Sequence, residues 1–264
     1  MNLKAPEKRS TYNSIMAEVY ADKNDLGKAA AELVAGRLRE AIAKKGRARV
    51  IFATGASQYE FLAALVKTQG VDWIKVTGFH LDEYLAMSDQ HPASFRRYLR
   101  ERLFGLLPFG AVHLLQGDAP DAGAECRRYG VLLAEEEIDI ACIGIGENGH
   151  LAFNDPPADF NSPNLVNIVV LDEACRRQQV GEGHFPNLDS VPKQALSLSI
   201  PAILRAKTIS CVVPDLRKAK AVKCSVEGPL TPQCPGSVLR RHADVHLYLD
   251  RDSASLLSPA TMQG

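Results

Sequence analysis

Apolar residues follow two alternating patterns along this chain of 264 residues. Short runs of consecutive apolar residues, typical of strands buried on both faces of a sheet, occur at 49–53, 74–79, 138–144, 208–213 and 245–249. Between these runs the apolar residues take helical spacing, first from Asp25 onward. Asp25 can cap the start of that first helix, and Gly46 can end it.

The alternation of strands and helices predicts the fold class. Strands that are separated by helices favour a mostly parallel sheet with helices on both faces, that is, a single three-layer α/β/α domain. We assign residues 25–264 to this domain and residues 1–24 to an N-terminal segment that packs on it or precedes it. Neither an internal repeat nor a low-complexity stretch interrupts the sequence.

Composition and charge narrow the classes of function. The chain has 31 basic and 31 acidic residues, so its net charge gives no reason to expect a nucleic-acid or membrane partner. Its six cysteines form no CxxC pair, which argues against a zinc site or a disulfide framework. Residues 1–14 lack the apolar core of a secretory signal, and no apolar run reaches the length of a membrane span. We therefore expect a cytoplasmic protein without a bound metal.

A turn of small residues follows the run at 49–53 and consists of Thr54, Gly55, Ala56 and Ser57. A helix is predicted directly behind it, from Tyr59 to 66. Backbone N–H groups at the start of a helix point outward and the helix dipole favours an anion there, so the turn could hold a phosphate. Many strand-to-helix turns need glycine and serine for their shape alone, and both interpretations stay open. The Gly-Lys-Ser/Thr ending of a P-loop is absent.

Two adjacent carboxylates, Asp82 and Glu83, follow the run at 74–79. They are either acids that cap a helix or acids that take part in catalysis. Neighbouring side chains of an extended chain point to opposite sides, so only one of the two should face a given site.

The most informative stretch is 138–157, IDIACIGIGENGHLAFNDPP, in which a buried run enters a glycine-rich loop. Its GIGENG segment matches the GxGxxG fingerprint of dinucleotide-binding proteins. That fingerprint requires a helix to begin inside the motif, and Pro156 and Pro157 forbid a long helix here. The dinucleotide interpretation is therefore disfavoured.

The alternative is that the loop presents His150 as an acid or base, because histidine titrates near neutrality. Three polar side chains within loop reach could orient its ring, namely Glu147, Asn148 and Asp155. A histidine whose hydrogen bonds are satisfied within a turn is the competing explanation.

Two long motifs carry a resemblance to a known family. GIGENGHLAFNDP (144–156) resembles the signature loop of the glucosamine-6-phosphate deaminase/isomerase family, and LDEYLAMSDQHPASF (81–95) resembles its second signature. ATGAS (53–57) stands where that family has a phosphate-binding turn. RKA (217–219) followed by VEG (226–228) resembles the family's helix that carries a phosphate-binding lysine. The resemblance extends from about residue 25 to residue 250.

The resemblance implies a Rossmann-like fold and the conversion of glucosamine 6-phosphate to fructose 6-phosphate and ammonia, without metal or organic cofactor. By the same resemblance, His150 serves ring opening, with Asn148 and Asp155 supporting it. Asp82 moves a proton between C2 and C1. The amides of 54–57 and Lys218 hold the 6-phosphate. The expected partner is a small sugar phosphate. Family members range from monomers to hexamers, so homo-oligomerisation is compatible with the resemblance.

Three positions depart from the family pattern. Asn148 stands where many members have Asp, and Asp155 stands where many have Glu. Asn148 adds no charge, and Asp155 is one methylene shorter than Glu. Where the family often has a phosphate-contacting arginine this chain has Glu182 at or near that position, so we expect Arg177 or Arg217 to substitute, or a different substrate.

Two alternative functions remain. A 6-phosphogluconolactonase-type hydrolase shares the fold and a similar histidine loop, but that family lacks the pairing of LDEY with HPxS. A sugar-phosphate-binding sensor without turnover usually carries a DNA-binding helix-turn-helix, and the residues before Asp25 are too few for one.

Overall fold

The computed structural model describes residues 3–181, 183 and 185–261. The strands, in chain order, are β1 (Lys8–Tyr12), β2 (Ile15–Tyr20), β3 (Ala48–Phe52), β4 (Val76–His80), β5 (Asp82–Tyr84), β6 (Ala111–Val112), β7 (Ile140–Ile143), β8 (Val166–Val170), β9 (Gln194–Leu198), β10 (Thr208–Val213) and β11 (Val245–Asp250). The α-helices are α1 (Lys23–Lys45), α2 (Tyr59–Leu65), α3 (Phe95–Leu99), α4 (Ala122–Ala134), α5 (Glu173–Gly181), α6 (Ile200–Leu204) and α7 (Ala219–Glu227). Shorter helical turns are the 3-10 turns Ala56–Gln58, Trp73–Lys75, Leu188–Ser190, Leu216–Lys218 and Pro235–Arg241 and the π turn Arg100–Phe104.

One large sheet forms the centre of the protein and confirms the predicted fold class. Its strand order is β1-β2-β11-β10-β7-β3-β4-β6. All neighbouring strands are parallel except β1 and β2, which form an antiparallel hairpin. Every residue of β3, β7 and β10 is buried, because helices cover both faces of the sheet.

The N-terminal segment contributes two strands to this sheet. Strand β2 runs parallel to β11, in register from Ile15 opposite Val245 to Tyr20 opposite Asp250. Asp22 caps α1, because its side chain accepts hydrogen bonds from the N–H groups of Asn24 and Asp25. Helix α1 therefore begins slightly before the predicted cap at Asp25.

Two apolar clusters separate the sheet from its helices. On one face, α1, α2 and α3 pack against the sheet, and on the other face α4, α6 and α7 do so. Helices α1 and α2 approach closely at Gly27, where an added Cβ would lie 2.7 Å from the Glu60 carbonyl carbon. Trp73, the one tryptophan of the sequence, lies just before β4 and packs on Phe109 with 4.8 Å between ring centroids.

A small antiparallel sheet, in the order β5-β9-β8, stands beside the large one. Asp82 of β5 pairs with Ser197 of β9, so the chain directly after β4 changes sheets. This second sheet was not predicted from the sequence. Asp121 caps helix α4, because its side chain accepts a hydrogen bond from the Ala124 N–H.

The order of the large sheet creates a crevice at its carboxyl edge. From β3 the chain proceeds outward to β4, whereas from β7 it proceeds to β10 on the opposite side. The loops behind the adjacent strands β3 and β7 therefore diverge, which is where open α/β sheets bind ligands. Among the described helices, none is both long enough and apolar enough to span a lipid bilayer.

Candidate active site

A cleft lies between the loops that follow β3 and β7 and contains about 580 Å³ of space, part of it open to solvent. It brings together most of the residues predicted from the sequence. Its walls include Thr54, Gly55, Ala56, Ser57, Asp82, His150 and Lys218. These residues follow four different strands, and the parallel arrangement places their loops at the same edge of the sheet.

The loop behind β7 is shaped to seat the imidazole of His150. The Gly146 N–H donates to the His150 carbonyl at 2.9 Å, and the Gly149 N–H donates to the Gly146 carbonyl at 3.0 Å. Gly149 has a φ of +89°, which favours glycine. A Cβ at Gly146 would lie 2.2 Å from both Cε1 and Nε2 of His150. The ring therefore occupies the space that any side chain at position 146 would take.

Asp155 lies directly beside the histidine ring. Its Oδ1 is 3.1 Å from Nδ1 of His150, although the contact falls short of hydrogen-bond alignment. Burial raises the pKa of this carboxyl, but the contact with His150 and hydrogen bonds from Asn148 and the Asp172 N–H outweigh it, so the net pKa is lowered. Asp155 is therefore ionised, and a carboxylate can only accept, which favours the hydrogen of the neutral imidazole on Nδ1.

Asn148 contacts the carboxylate and the backbone, not the imidazole. Its Nδ2 donates to Asp155 at 3.0 Å, and its Oδ1 accepts from the His150 N–H at 3.0 Å. The shorter Asp155 side chain thus reaches His150 without a bridging group, and Asn148 helps to hold it there.

The two acids of the LDEY motif separate as the extended chain predicts. Asp82 lines the cleft, whereas Glu83 points away and is fully buried. Glu83 accepts from the Ser94 hydroxyl at 2.8 Å and from the N–H groups of Phe95 and Arg96, which start α3. Glu83 is thus the helix-capping acid, and it joins LDEY to the HPAS segment. Burial, together with the nearby Glu83, raises the pKa of Asp82 well above its usual value.

The small-residue turn and Lys218 also line the cleft. Gly55 has a φ of +99° and is followed by the helical turn Ala56–Gln58 that leads into α2. The first N–H groups of such a segment have no partner inside the helix and are available to an anion. Lys218 is buried just before α7 and lines the same cleft.

The structure does not bring Arg177 and Arg217 into the cleft. Arg177 lies on the outer face of α5, where its side chain is exposed and pairs with Glu173. Arg217 lies 3.3 Å from Glu147. Helical geometry explains the first placement, because Gln178 and Gln179, the next two residues of α5, face the cleft. Glu182 lies outside the described residues.

Sequence reasoning missed the glutamines that line the cleft. Gln179 accepts from the Tyr84 hydroxyl at 2.7 Å, and Gln178 accepts from the Glu147 N–H at 3.1 Å. Gln58, behind the small-residue turn, is also buried in the wall and lies 3.4 Å from the Val212 carbonyl. Neutral amides carry no motif of their own, so only the spatial arrangement reveals them.

One group of side chains in the described part of the chain has the composition of a metal site. The ligand atoms of His150, Asp155 and Cys175 all lie within 4.8 Å of one another. Burial raises the pKa of the Cys175 thiol, which keeps it protonated and disfavours it as a ligand. The contact between His150 and Asp155 explains the other two groups without a metal.

Known proteins with similar sequences belong to one family. A family model described as glucosamine-6-phosphate isomerases/6-phosphogluconolactonase matches residues 21–247. Glucosamine-6-phosphate deaminase of Lactobacillus delbrueckii subsp. bulgaricus is 37% identical over 239 residues, which cover 90% of this chain and 98% of the relative. The enzyme of that name from Listeria monocytogenes is 40% identical over 205 residues, which cover 78% and 86%.

Solved structures agree with the sequence relatives. A monomeric glucosamine-6-phosphate deaminase superposes with a TM-score of 0.82 at 33% identity, covering 92% of this chain and 99% of its own. A 6-phosphogluconolactonase from Shewanella baltica superposes with a TM-score of 0.73, covering 89% and 97%, but at 19% identity it shares the fold alone. The chain belongs to the family of glucosamine-6-phosphate isomerases and 6-phosphogluconolactonases.

Proposed function

We propose that this protein is an enzyme that converts glucosamine 6-phosphate and water to fructose 6-phosphate and ammonia. The observation that carries the proposal is the cleft itself. One buried carboxylate, Asp82, and one carboxylate-supported histidine, His150, face a space that the small-residue turn 54–57 and Lys218 also line. The relatives that share 37–40% identity are named glucosamine-6-phosphate deaminase, which supports the same substrate.

Each group has a proposed role in this reaction. His150, through Nε2, moves the proton between the ring oxygen and the C1 hydroxyl when the sugar opens. Asp82 then takes the proton from C2 and returns it to C1, through an enolamine, to leave an imine at C2. Water hydrolyses that imine to the ketone and releases ammonia. The amides of 54–57 and Lys218 hold the phosphate and so fix C1 and C2 relative to Asp82.

The test is an assay of ammonia release from glucosamine 6-phosphate, run beside galactosamine 6-phosphate and beside hydrolysis of 6-phosphogluconolactone. We expect ammonia release with the glucosamine substrate. Lactone hydrolysis without ammonia release would replace the proposal by the hydrolase alternative. Binding of both sugars without turnover would favour a sensor. A cytoplasmic location fits the proposal, since all six cysteines are free thiols.

Replacing Lys218 by alanine should raise KM for the phosphorylated sugar by about 10- to 150-fold, since a hydrogen bond to a charged group contributes about 1.5–3 kcal/mol. The value of kcat should change much less, because the proposed contact of Lys218 is with the 6-phosphate, which takes no part in the bond changes at C1 and C2. Lys220→Ala, which replaces an exposed lysine in the first turn of α7, is the matched control. Equal KM values for both variants and the unaltered protein would show that Lys218 does not bind the phosphate.

The rate should also depend on pH through Asp82. Because burial raises the pKa of this carboxyl, the carboxylate needed as a base forms only at a pH well above 3.8. We expect kcat/KM to rise with pH as Asp82 ionises. This rise should occur at a pH well above the pKa of an exposed aspartate. A pH profile of kcat/KM checks it, and a rate that is constant down to pH 4 would contradict it.

A further inference from the structure

Asp172, the residue just before α5, connects that helix to the support of the histidine. Its Oδ1 accepts from the Cys175 N–H at 2.5 Å, as a residue at the start of a helix does. Its Oδ2 lies 3.3 Å from Nδ2 of Asn148, and its own N–H donates to Oδ2 of Asp155 at 3.1 Å. One residue thus contacts both Asn148 and Asp155, two of the three polar neighbours of His150 that the sequence singled out.

Asn148 is held in a single orientation by these contacts. Its Oδ1 is occupied by the His150 N–H, so its amide cannot rotate without losing that hydrogen bond. Its Nδ2 must then face Asp155 and Asp172, and both are carboxylates. An amide has two hydrogens to give, one for each carboxylate. An aspartate at position 148 would instead bring three carboxylates together.

The carboxylate of Asp155 is consequently fixed at both oxygens. Its Oδ1 accepts a hydrogen bond from Nδ2 of Asn148 and faces Nδ1 of His150. Its Oδ2 accepts a hydrogen bond from the Asp172 N–H. Without these donors the carboxylate could rotate away from the ring. The side chain of Asp155 is only 7% exposed, so water has little access to replace a lost donor.

We propose that Asp172 is a positioning residue for His150, which acts through Asn148 and Asp155. By holding the Asn148 amide and the Asp155 carboxylate, it keeps the imidazole hydrogen on Nδ1 and leaves Nε2 to the cleft. Asp172 is not a catalytic residue, because it does not line the cleft. The kinetic part of this inference rests on the proposed function, whereas its structural part does not.

Asp172→Asn is the informative variant. Asparagine and aspartate are about equally good at capping the start of a helix, so α5 should be retained in this variant. The NH₂ group of the new asparagine would face the NH₂ group of Asn148, and both groups are donors. The new amide could avoid this only by turning, which would lose its hydrogen bond from the Cys175 N–H. We expect kcat for ammonia release to fall about tenfold, with KM changed less than twofold, because the histidine is less well oriented. Nitrogen-15 NMR of the imidazole should show a lower fraction of the Nδ1–H tautomer of His150.

The matched control is Glu173→Gln, which removes a charge from the adjacent residue. Glu173 pairs with Arg177 on the exposed face of α5 and does not contact Asn148 or Asp155. It should leave both kcat and the tautomer unchanged. A role of Asp172 in helix stability alone would lower thermal stability but would not alter the tautomer.

A double-mutant cycle tests the pathway through Asn148. Asn148→Asp alone should lower kcat about 100-fold, because it places a third carboxylate beside Asp155 and Asp172. Adding Asp172→Asn should recover about tenfold of this loss, since the new amide at 172 can donate to the new carboxylate at 148. Losses that simply multiply would overturn the proposal.

The failure of this inference and the failure of the proposed function are distinguishable. If the unaltered protein releases no ammonia, the proposed function fails, yet the tautomer measurement needs no substrate and still tests Asp172. A wild-type tautomer in Asp172→Asn overturns the positioning role whatever the substrate. An equal tautomer change in Glu173→Gln overturns it as well.

Discussion

Replacing Asp82 by asparagine should lower kcat/KM for ammonia release from glucosamine 6-phosphate by about 10³-fold, the usual contribution of a general base. An amide cannot accept the C2 proton, and no other described carboxylate lines the cleft. Glu83 cannot substitute, because it points to the opposite side of β5 and caps α3. Steady-state kinetics and exchange of the C2 proton with solvent measure the effect.

The same variant should be more stable than the unaltered protein at neutral pH. Above pH 3.8 the unfolded chain releases the Asp82 proton, whereas the folded protein keeps it until its raised pKa, so stability falls as pH rises between the two values. Asparagine carries no such proton and avoids this loss. Thermal unfolding at pH 7 and below pH 3.8 should show the gain only at the higher pH.

Asp89→Asn provides the matched control for Asp82. Asp89 lies in the same motif, but its side chain is partly exposed and pairs with Arg100 outside the cleft. Its replacement should leave kcat/KM unchanged. Near wild-type ammonia release by Asp82→Asn would show that another group moves the proton.

Replacing Gly146 by alanine should lower kcat/KM by about 100-fold or more, because a misplacement of about 1 Å at a reacting group has effects of this size. The added Cβ would overlap the ring of His150 at 2.2–2.4 Å, so the imidazole would have to leave its position beside Asp155. Gly146 lacks the positive φ of Gly149, so alanine fits the backbone and the effect falls on the histidine.

Gly36→Ala is the control for this substitution. Position 36 lies inside α1 with only the end of the Arg39 side chain near an added Cβ, at 4.0 Å. Alanine there should stabilise the helix by about 0.5–1 kcal/mol and leave catalysis unchanged. Unchanged kinetics in Gly146→Ala would mean that His150 acts from another position.

The parts of the fold that follow local patterns were predictable. Strands β3, β7 and β10 are uninterrupted apolar runs, and burial on both faces leaves few other interpretations of such runs. The small sheet was not predictable, because pairing of Asp82 with Ser197 joins residues that are 115 positions apart. Period-2 patterns indicate strands but do not state which partner a strand takes.

The candidate site divides in the same way. Asp82 and His150 stand at strand ends, where local sequence indicates chemistry. The supporting contacts depend on α5 and the residue before it. Asp172 contacts Asn148, which is 24 positions away, and Gln178 of α5 contacts Glu147, which is 31 positions away. No local pattern encodes such contacts. Arg177 is the opposite case, because its charge suits a phosphate but its side chain is exposed and pairs with Glu173 once the helix is formed.

The position of Trp73 determines what an optical experiment on this protein can observe. Trp73 precedes β4 and Asp82 follows it, so the length of the strand, about 17 Å, separates the indole from the cleft. Because the sequence has no other tryptophan, all tryptophan fluorescence comes from Trp73. This fluorescence should change when unfolding removes the packing of Trp73 on Phe109 and remain constant when a sugar phosphate binds. Fluorescence titrations that show no change are thus compatible with tight binding, and denaturation curves can be recorded in the presence of substrate without interference.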